Sequence, residues 1–210
     1  PSSGLSSTLL MRPAQIQPSS DILGNSGRLL VAGDAPRAVL HCGADRRSPA
    51  TGATSLSSID ILDLTKGNRA DTLPINFPCA ALAISPDGTR VITRSTETPH
   101  RMDVWDLEGK KHVVGWRPKI AKWPTDNPLR FLNRGIERIT SAAFVDSEHV
   151  LTVSNEAAVM WKIPECQDVY LIVQPRTTSL SPGRKYLVCG SSNKTVAAFD
   201  LLVPRVGELI

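Results

Sequence analysis

Three stretches of the chain repeat one pattern, and that repetition limits the possible folds more than any single motif does. Leu82–Ile92 is followed, after a polar gap, by Asp103–Leu107; Ala142–Leu151 is followed by Ala158–Ile163; Thr178–Val188 is followed by Val196–Leu201. Each unit reads as an apolar strand, a tight polar turn, a second apolar strand, a longer turn, and a third strand with a large side chain near its end. Self-similarity at a spacing of roughly 40–45 residues is the mark of a repeat architecture. A degenerate first unit precedes these three. In it Leu29–Ala32, Arg37–His41 and Ile59–Leu64 serve as strands, Gly33–Pro36 as the first turn, and Asp71–Ile75 as a fourth strand.

Fourth strands are expected near Lys111–Trp116, Asp168–Val173 and Arg205–Ile210. The units then span approximately 28–77, 78–117, 139–175 and 176–210, after a Ser/Pro-rich linker or arm at 1–27 and with a basic insertion near 107–138. Four short strands per unit joined by turns predict an all-β chain of antiparallel sheets, and no segment has capped helical periodicity. Runs such as Ala81–Ile84 do not alternate apolar with polar, as suits a sheet covered on both faces.

The chain resembles the WD-repeat β-propellers over about Arg28 to Ile210. The residues that carry the likeness are the Ser-Pro-Asp-Gly turn at 85–88 and a Ser-Pro-Gly turn at 181–183 that reads as shortened. To these add Val104–Leu107, Met160–Lys162 and Ala198–Leu201. The resemblance implies that Trp105, Trp161 and Phe199, with Leu62 in the degenerate unit, hold equivalent buried positions on third strands. Asn155 and Asn193 stand six residues before Trp161 and Phe199, where the family usually places an Asp. No unit has a Gly-His dipeptide, so the family's His-to-Asp relay within a blade is expected to be missing, and only one unit keeps an intact Trp-Asp pair. Four units are few for a ring of four to eight blades. The expectation is therefore an incomplete ring, completed by further blades or by self-association, with apolar terminal faces otherwise left open.

The net charge of +4 is concentrated in one place. Between Leu107 and Arg138 eight basic residues face three acidic ones, with Trp116, Trp123 and Phe131 among them. Arg117, Lys119, Lys122, Trp123, Arg130 and Arg134 are the candidate partner-binding residues. Basic groups with interleaved aromatic faces suit an acidic protein partner, or less readily nucleic acid. A solvated connector is the plain alternative. Long second-to-third-strand connections at Asp45–Ser58 and Ser95–Arg101 would share one rim, and elaborated loops on a rigid scaffold are where recognition concentrates.

Catalytic patterns are absent from the linear sequence: no nucleophile elbow, phosphate loop, dinucleotide fingerprint or zinc-protease helix. His41, His100, His112 and His149 are scattered, and Cys42, Cys79, Cys166 and Cys189 lack metal-ligand spacing. Cys42 and Cys189, at matching places in apolar strands, read as buried reduced thiols, which favours a cytoplasmic location. No apolar run reaches the roughly 20 residues of a membrane span. The resulting expectation is a non-enzymatic protein-interaction scaffold without cofactor or metal. The alternatives are a catalytic or ligand-binding site in the ring channel, and a basic loop that docks nucleic acid.

Overall fold

A computed structural model describes residues 28–42, 57–98, 101–118, 139–154, 157–173, 177–181, 183–190 and 196–201. These residues form antiparallel strands and no helix. The first sheet holds β1 (Arg28–Val31), β2 (Arg37–Cys42), β3 (Ser57–Asp63) and β4 (Asn68–Ile75). The second holds β5 (Cys79–Ile84), β6 (Arg90–Ser95), β7 (Met102–Asp106) and β8 (Lys111–Trp116). The third holds β9 (Ile139–Phe144), β10 (His149–Ser154), β11 (Ala157–Lys162) and β12 (Gln167–Val173). The fourth comprises β13 (Thr177–Leu180), β14 (Tyr186–Gly190) and β15 (Val196–Asp200); its expected last strand at 205–210, like the arm at 1–27, lies outside the described residues.

Strand order follows chain order in every sheet, and the first strands stand beside one another, β1 next to β5 and β5 next to β9. Each sheet is thus a radial meander whose flanks must be covered by its neighbours. Three core clusters do that. One joins Val39, Ile59 and Ile61 of the first sheet to Ala81, Ile84, Val91 and Trp105 of the second. Another joins Ile92, Met102 and Val104 to Phe144, Val150 and Trp161 of the third. The last joins Leu151, Ala158 and Met160 to Leu187, Cys189 and the partly buried Phe199 of the fourth. In every case the large third-strand residue faces the preceding sheet, while the residue before it faces the next one.

Register confirms the equivalence. Pairing between third and fourth strands slips by one residue between Ile61 and Leu62, between Val104 and Trp105, and between Met160 and Trp161. The same β-bulge therefore precedes the large residue in three sheets. Leu62, Trp105 and Trp161 are buried, whereas Phe199 is only partly so. The two tryptophans also donate across the sheet. Trp105 Nε1 reaches Thr93 Oγ1 at 3.0 Å and Trp161 Nε1 reaches Thr152 Oγ1 at 2.8 Å, both bonds buried. The register places Leu40 and Cys189 where these threonines stand, diagonal to Leu62 and Phe199, two places along from the residues those two pair with. Where the acceptor is lost the indole is lost with it, so no buried N–H is stranded at this position. Cys42 sits two places further along than Cys189, opposite Ser58, so the two cysteines are not equivalent. Cys79, Cys166 and Cys189 are free, and burial pushes the Cys79 thiol up to about 11.

Polar bonds also tie the first sheet to the second and the second to the third. Arg37 Nη1 donates to the Gly88 carbonyl at 3.0 Å, and its equivalent Arg90 donates to the Ser147 carbonyl at 2.7 Å. At the opposite ends of the same strands His41 bonds the Cys79 backbone and Arg94 donates to the Ile139 carbonyl. The three arginine bonds are charge-assisted, and bonds of that kind are stronger than neutral ones and fix orientation as well as distance.

Candidate functional site: two unlike faces of the array

Because each sheet is a meander, every loop emerges on one of two faces. Turns joining first to second strands and third to fourth strands share one face, and all of those between the described strands are four or five residues long. The other face receives the connections 43–56, 96–101 and 117–138, beside several short ones.

The short-turn face converges on a cavity of about 400 Å³ lined by Asp34, Pro86, Asp87, Val145, Asp146, Ser147, Gly183 and Arg184, with residues from all four sheets. Three carboxylates meet there because the turns are structurally equivalent. Each one serves its own turn or a neighbour. Asp87 accepts from Ser85 Oγ at 2.5 Å, Thr89 N at 3.0 Å and Thr89 Oγ1 at 2.9 Å. Partial burial alone would push its pKa up, but these hydrogen bonds prevail and hold the carboxyl below the usual range. Asp146 accepts from Glu148 N and His149 N, both at 2.7 Å, and from the His149 ring. Asp34 faces Arg184 Nη1 at 3.8 Å across the mouth. Among the described residues no group of three or more His, Cys, Asp or Glu is placed to hold a metal ion.

The turn at 181–185 corrects its sequence reading. Ser181 N bonds the Tyr186 carbonyl and Arg184 N the Ser181 carbonyl, just as Ser85 N bonds Arg90 and Gly88 N bonds Ser85. The turn is the same length as 85–89 and is not shortened; Gly183 takes the place of Asp87 and Arg184 that of Gly88. Arg184 therefore carries the left-handed φ of 55° that Gly88 meets with 69°.

The expected basic insertion also divides. Residues 107–110 form the β7–β8 turn on the short-turn face, and Lys111 begins β8. Lys110 pairs with Asp71 at 2.5 Å and Lys111 with Asp106 at 3.9 Å, so neither lysine belongs to a loop on the other face. The connection begins only at Arg117, since Trp116 is the last residue of β8. It carries six basic and two acidic residues, a net +4 that equals the charge of the whole chain. Arg117 is exposed at its start. Trp116 is buried against Trp161, ring centres 6.3 Å apart, and belongs to the core instead of a binding surface. Lys119, Lys122, Trp123, Arg130 and Arg134, together with Asn155, Asn193 and residues 43–56, lie outside the described residues.

The second sheet holds a feature that sequence reading missed. Asp103, fully buried on β7, accepts from Arg101 Nε at 3.1 Å and Nη2 at 2.9 Å, and His112 Nε2 of β8 lies 2.8 Å from the same carboxylate. The His112 ring stands edge-on to Trp105 at 4.9 Å, and Arg101 lies over Phe77 at 5.2 Å. A His–Asp contact thus exists without a Gly-His dipeptide, built from neighbouring third and fourth strands. The detectable signal was Asp103, an acidic residue inside the otherwise apolar, buried run of β7.

No family model matches the chain, and no curated protein does. Among solved structures, the β-propeller domain of Cps50 (Swd1) from Myceliophteria thermophila superposes with a TM-score of 0.55 at 11% identity, covering 87% of this chain and 54% of that one. The chain spans about half the length of the neighbour it matches. The fold is that of a β-propeller, and the four sheets are its blades.

Proposed function

We propose that the chain is a non-enzymatic protein-interaction scaffold of WD-repeat type, docking an acidic protein partner on the face that receives the long connections. The inequality of the two faces carries this reading. On one face the strand ends are joined by turns of four or five residues whose carboxylates are engaged within the turns or by Arg184, while on the other they lead into three longer connections, one of which, 117–138, carries a net +4 in sequence. A rigid β-scaffold bearing variable loops on one side suits recognition better than chemistry. The likeness to a propeller domain supports the same type of role. A protein surface is favoured over nucleic acid because the excess charge is confined to a single short segment of the sequence.

The test is capture of partners by wild type and by K119E/K122E/R130E. This reading requires the three side chains to be exposed, and charge reversal should then leave the thermal midpoint almost unchanged, since exposed charges contribute little to stability. It should abolish capture of acidic partners, and added salt should weaken wild-type capture in the same way. Equal recovery of the same partners at equal salt sensitivity refutes the proposal.

A further inference from the structure

Four Ser/Thr-Pro pairs stand in the chain, at 48–49, 85–86, 98–99 and 181–182. Two of them, Thr98-Pro99-His100-Arg101 and Ser181-Pro182-Gly183-Arg184, also carry an arginine three residues after the hydroxyl. Proline-directed protein kinases select on both features: the proline withholds a backbone N–H, and the cation pairs with an anionic pocket. The structure separates these hydroxyls. Ser85 is fully buried, its Oγ donating to Asp87 and accepting from Arg90 N at 2.8 Å. Ser181 Oγ accepts from Tyr186 N at 3.0 Å, and its Arg184 faces Asp34. Both hydroxyls thus close turns on the short-turn face, and Ser48 lies outside the described residues. Thr98 instead sits half-buried in the connection between β6 and β7, after exposed Thr96 and Glu97, on the face of the long connections. Its backbone is held, N donating to Ser95 Oγ at 3.0 Å and the carbonyl accepting from Arg101 N at 3.2 Å. Its hydroxyl has no partner among the described residues.

The arginine of the same turn has an edge to spare. Arg28, Arg37, Arg90 and Arg94 each spend Nη1 on a carbonyl of the neighbouring blade. Arg101 turns Nε and Nη2 to the fully buried Asp103, at 3.1 and 2.9 Å, and rests over the Phe77 ring. Its Nη1 has no partner among the described residues, and the side chain is 43% exposed. A guanidinium oriented along one edge by a carboxylate keeps its other donors in a fixed fork for an anion. We propose that Thr98 is the phosphoacceptor of a proline-directed protein kinase, and that the added phosphate is held by the Nη1 edge of Arg101. In the transfer the Thr98 oxygen attacks the γ-phosphorus of a nucleoside triphosphate. The new O–P bond replaces the one to the β–γ bridging oxygen, the nucleoside diphosphate leaves, and the hydroxyl proton passes to the kinase's catalytic carboxylate. The product carries about −1.5 to −2 charges at neutral pH. It ties the β6–β7 connection to β7 through Arg101 and Asp103 and places a dianion on the face of the long connections.

The experiment treats the folded 210-residue chain with a purified proline-directed kinase and magnesium ATP, and reads the occupancy of each Ser/Thr-Pro site by mass spectrometry. Thr98 should fill, while Ser85 and Ser181 stay empty. Ser181 shares the motif and so controls for sequence alone. An empty Thr98, with the kinase active on a standard Thr-Pro peptide, overturns the inference, and so does a Ser181 that fills as readily. The contact with Arg101 is read by phosphorus NMR of the modified chain across pH. Phosphothreonine loses its second proton near pH 6 or about that value when unperturbed. In the folded chain the signal should titrate at lower pH than in the same chain unfolded in urea, because a fixed guanidinium favours the dianion. Arg101→Lys keeps a cation for Asp103 but has no second edge, so it should lose most of that shift. A folded wild type that titrates no lower than the unfolded chain overturns the inference, and so does a folded lysine variant that keeps the full shift.

Discussion

The bond between Trp161 and Thr152 offers a sharp test of how these blades are held together. Thr152→Val keeps shape and volume but removes the only described acceptor for the buried indole N–H. Leaving such a donor unsatisfied costs about 1–3 kcal/mol. Trp161→Phe removes the donor together with part of the ring, at roughly 1–3 kcal/mol by transfer and cavity terms. Thr152 is less harmed by that change, because its hydroxyl already contacts the Val159 carbonyl at 3.4 Å. In the double variant the donor and its acceptor are gone together, as in the first and fourth blades, where Leu40 with Leu62 and Cys189 with Phe199 hold the two positions. The valine change should then cost almost nothing further. The expected coupling is about 1 kcal/mol, measured as a double-mutant cycle from urea unfolding followed by far-ultraviolet circular dichroism. Thr93 and Trp105 should give a similar figure, their bond being 3.0 Å long. Additive losses, with coupling below about 0.3 kcal/mol, would mean that the indole bond is incidental and that packing alone holds each blade.

Other outcomes follow from single positions. Arg184→Gly should stabilise the chain by about 1 kcal/mol, because a left-handed φ suits glycine and the ion pair with exposed Asp34 adds little; thermal melting checks it. Gly115→Ala should destabilise by roughly 1–3 kcal/mol, since a Cβ there collides with Asp103 Oδ1 and approaches His112 Nε2 to 3.2 Å; a lowered urea midpoint is the readout. His41 is held below its ordinary pKa by burial, partly offset by its bond to the Cys79 backbone, and its Nε2 has no partner. Its folded pKa lies below the unfolded one, so the contribution is complete above about pH 6.5 and is lost as pH falls below that through the folded pKa. Unfolding free energies at pH 7.5 and 5.5 should therefore differ less in His41→Leu than in wild type.

The sequence made the meander legible through features that are local in the chain: Ser85 to Gly88 as a turn, Trp105 and Trp161 at strand ends, apolar runs with no alternation. What it concealed lies across strands. Thr93 and Thr152 carry no local mark, and only register shows that each stands beneath an indole. Asp103 and His112 are nine residues apart and meet only because a bulge shifts β8 against β7. Arg184 was hidden behind its neighbour: Gly183 invited a shorter turn, whereas the backbone keeps the length and places the arginine at the strained position. The basic segment was overdrawn at its start because Lys110 and Lys111 are contiguous in sequence with Arg117 but leave the sheet on the opposite face. Its remaining candidates, from Lys119 to Arg134, lie outside the described residues.

The contact between Arg184 and Asp34 spans first and last blades like a chord across an arc. Each blade-to-blade rotation adds to the angle the chord subtends, so small changes at three interfaces accumulate in one distance. A single pair of side chains thereby gauges the curvature of the whole array. A few degrees of flattening per interface would part the guanidinium from the carboxylate, and a few degrees of tightening would crowd Arg184 into Gly33, where even a methyl group would come within 2.8 Å of its Nη2. Substitutions buried deep between blades should therefore register at this mouth before they disturb any loop on the far side.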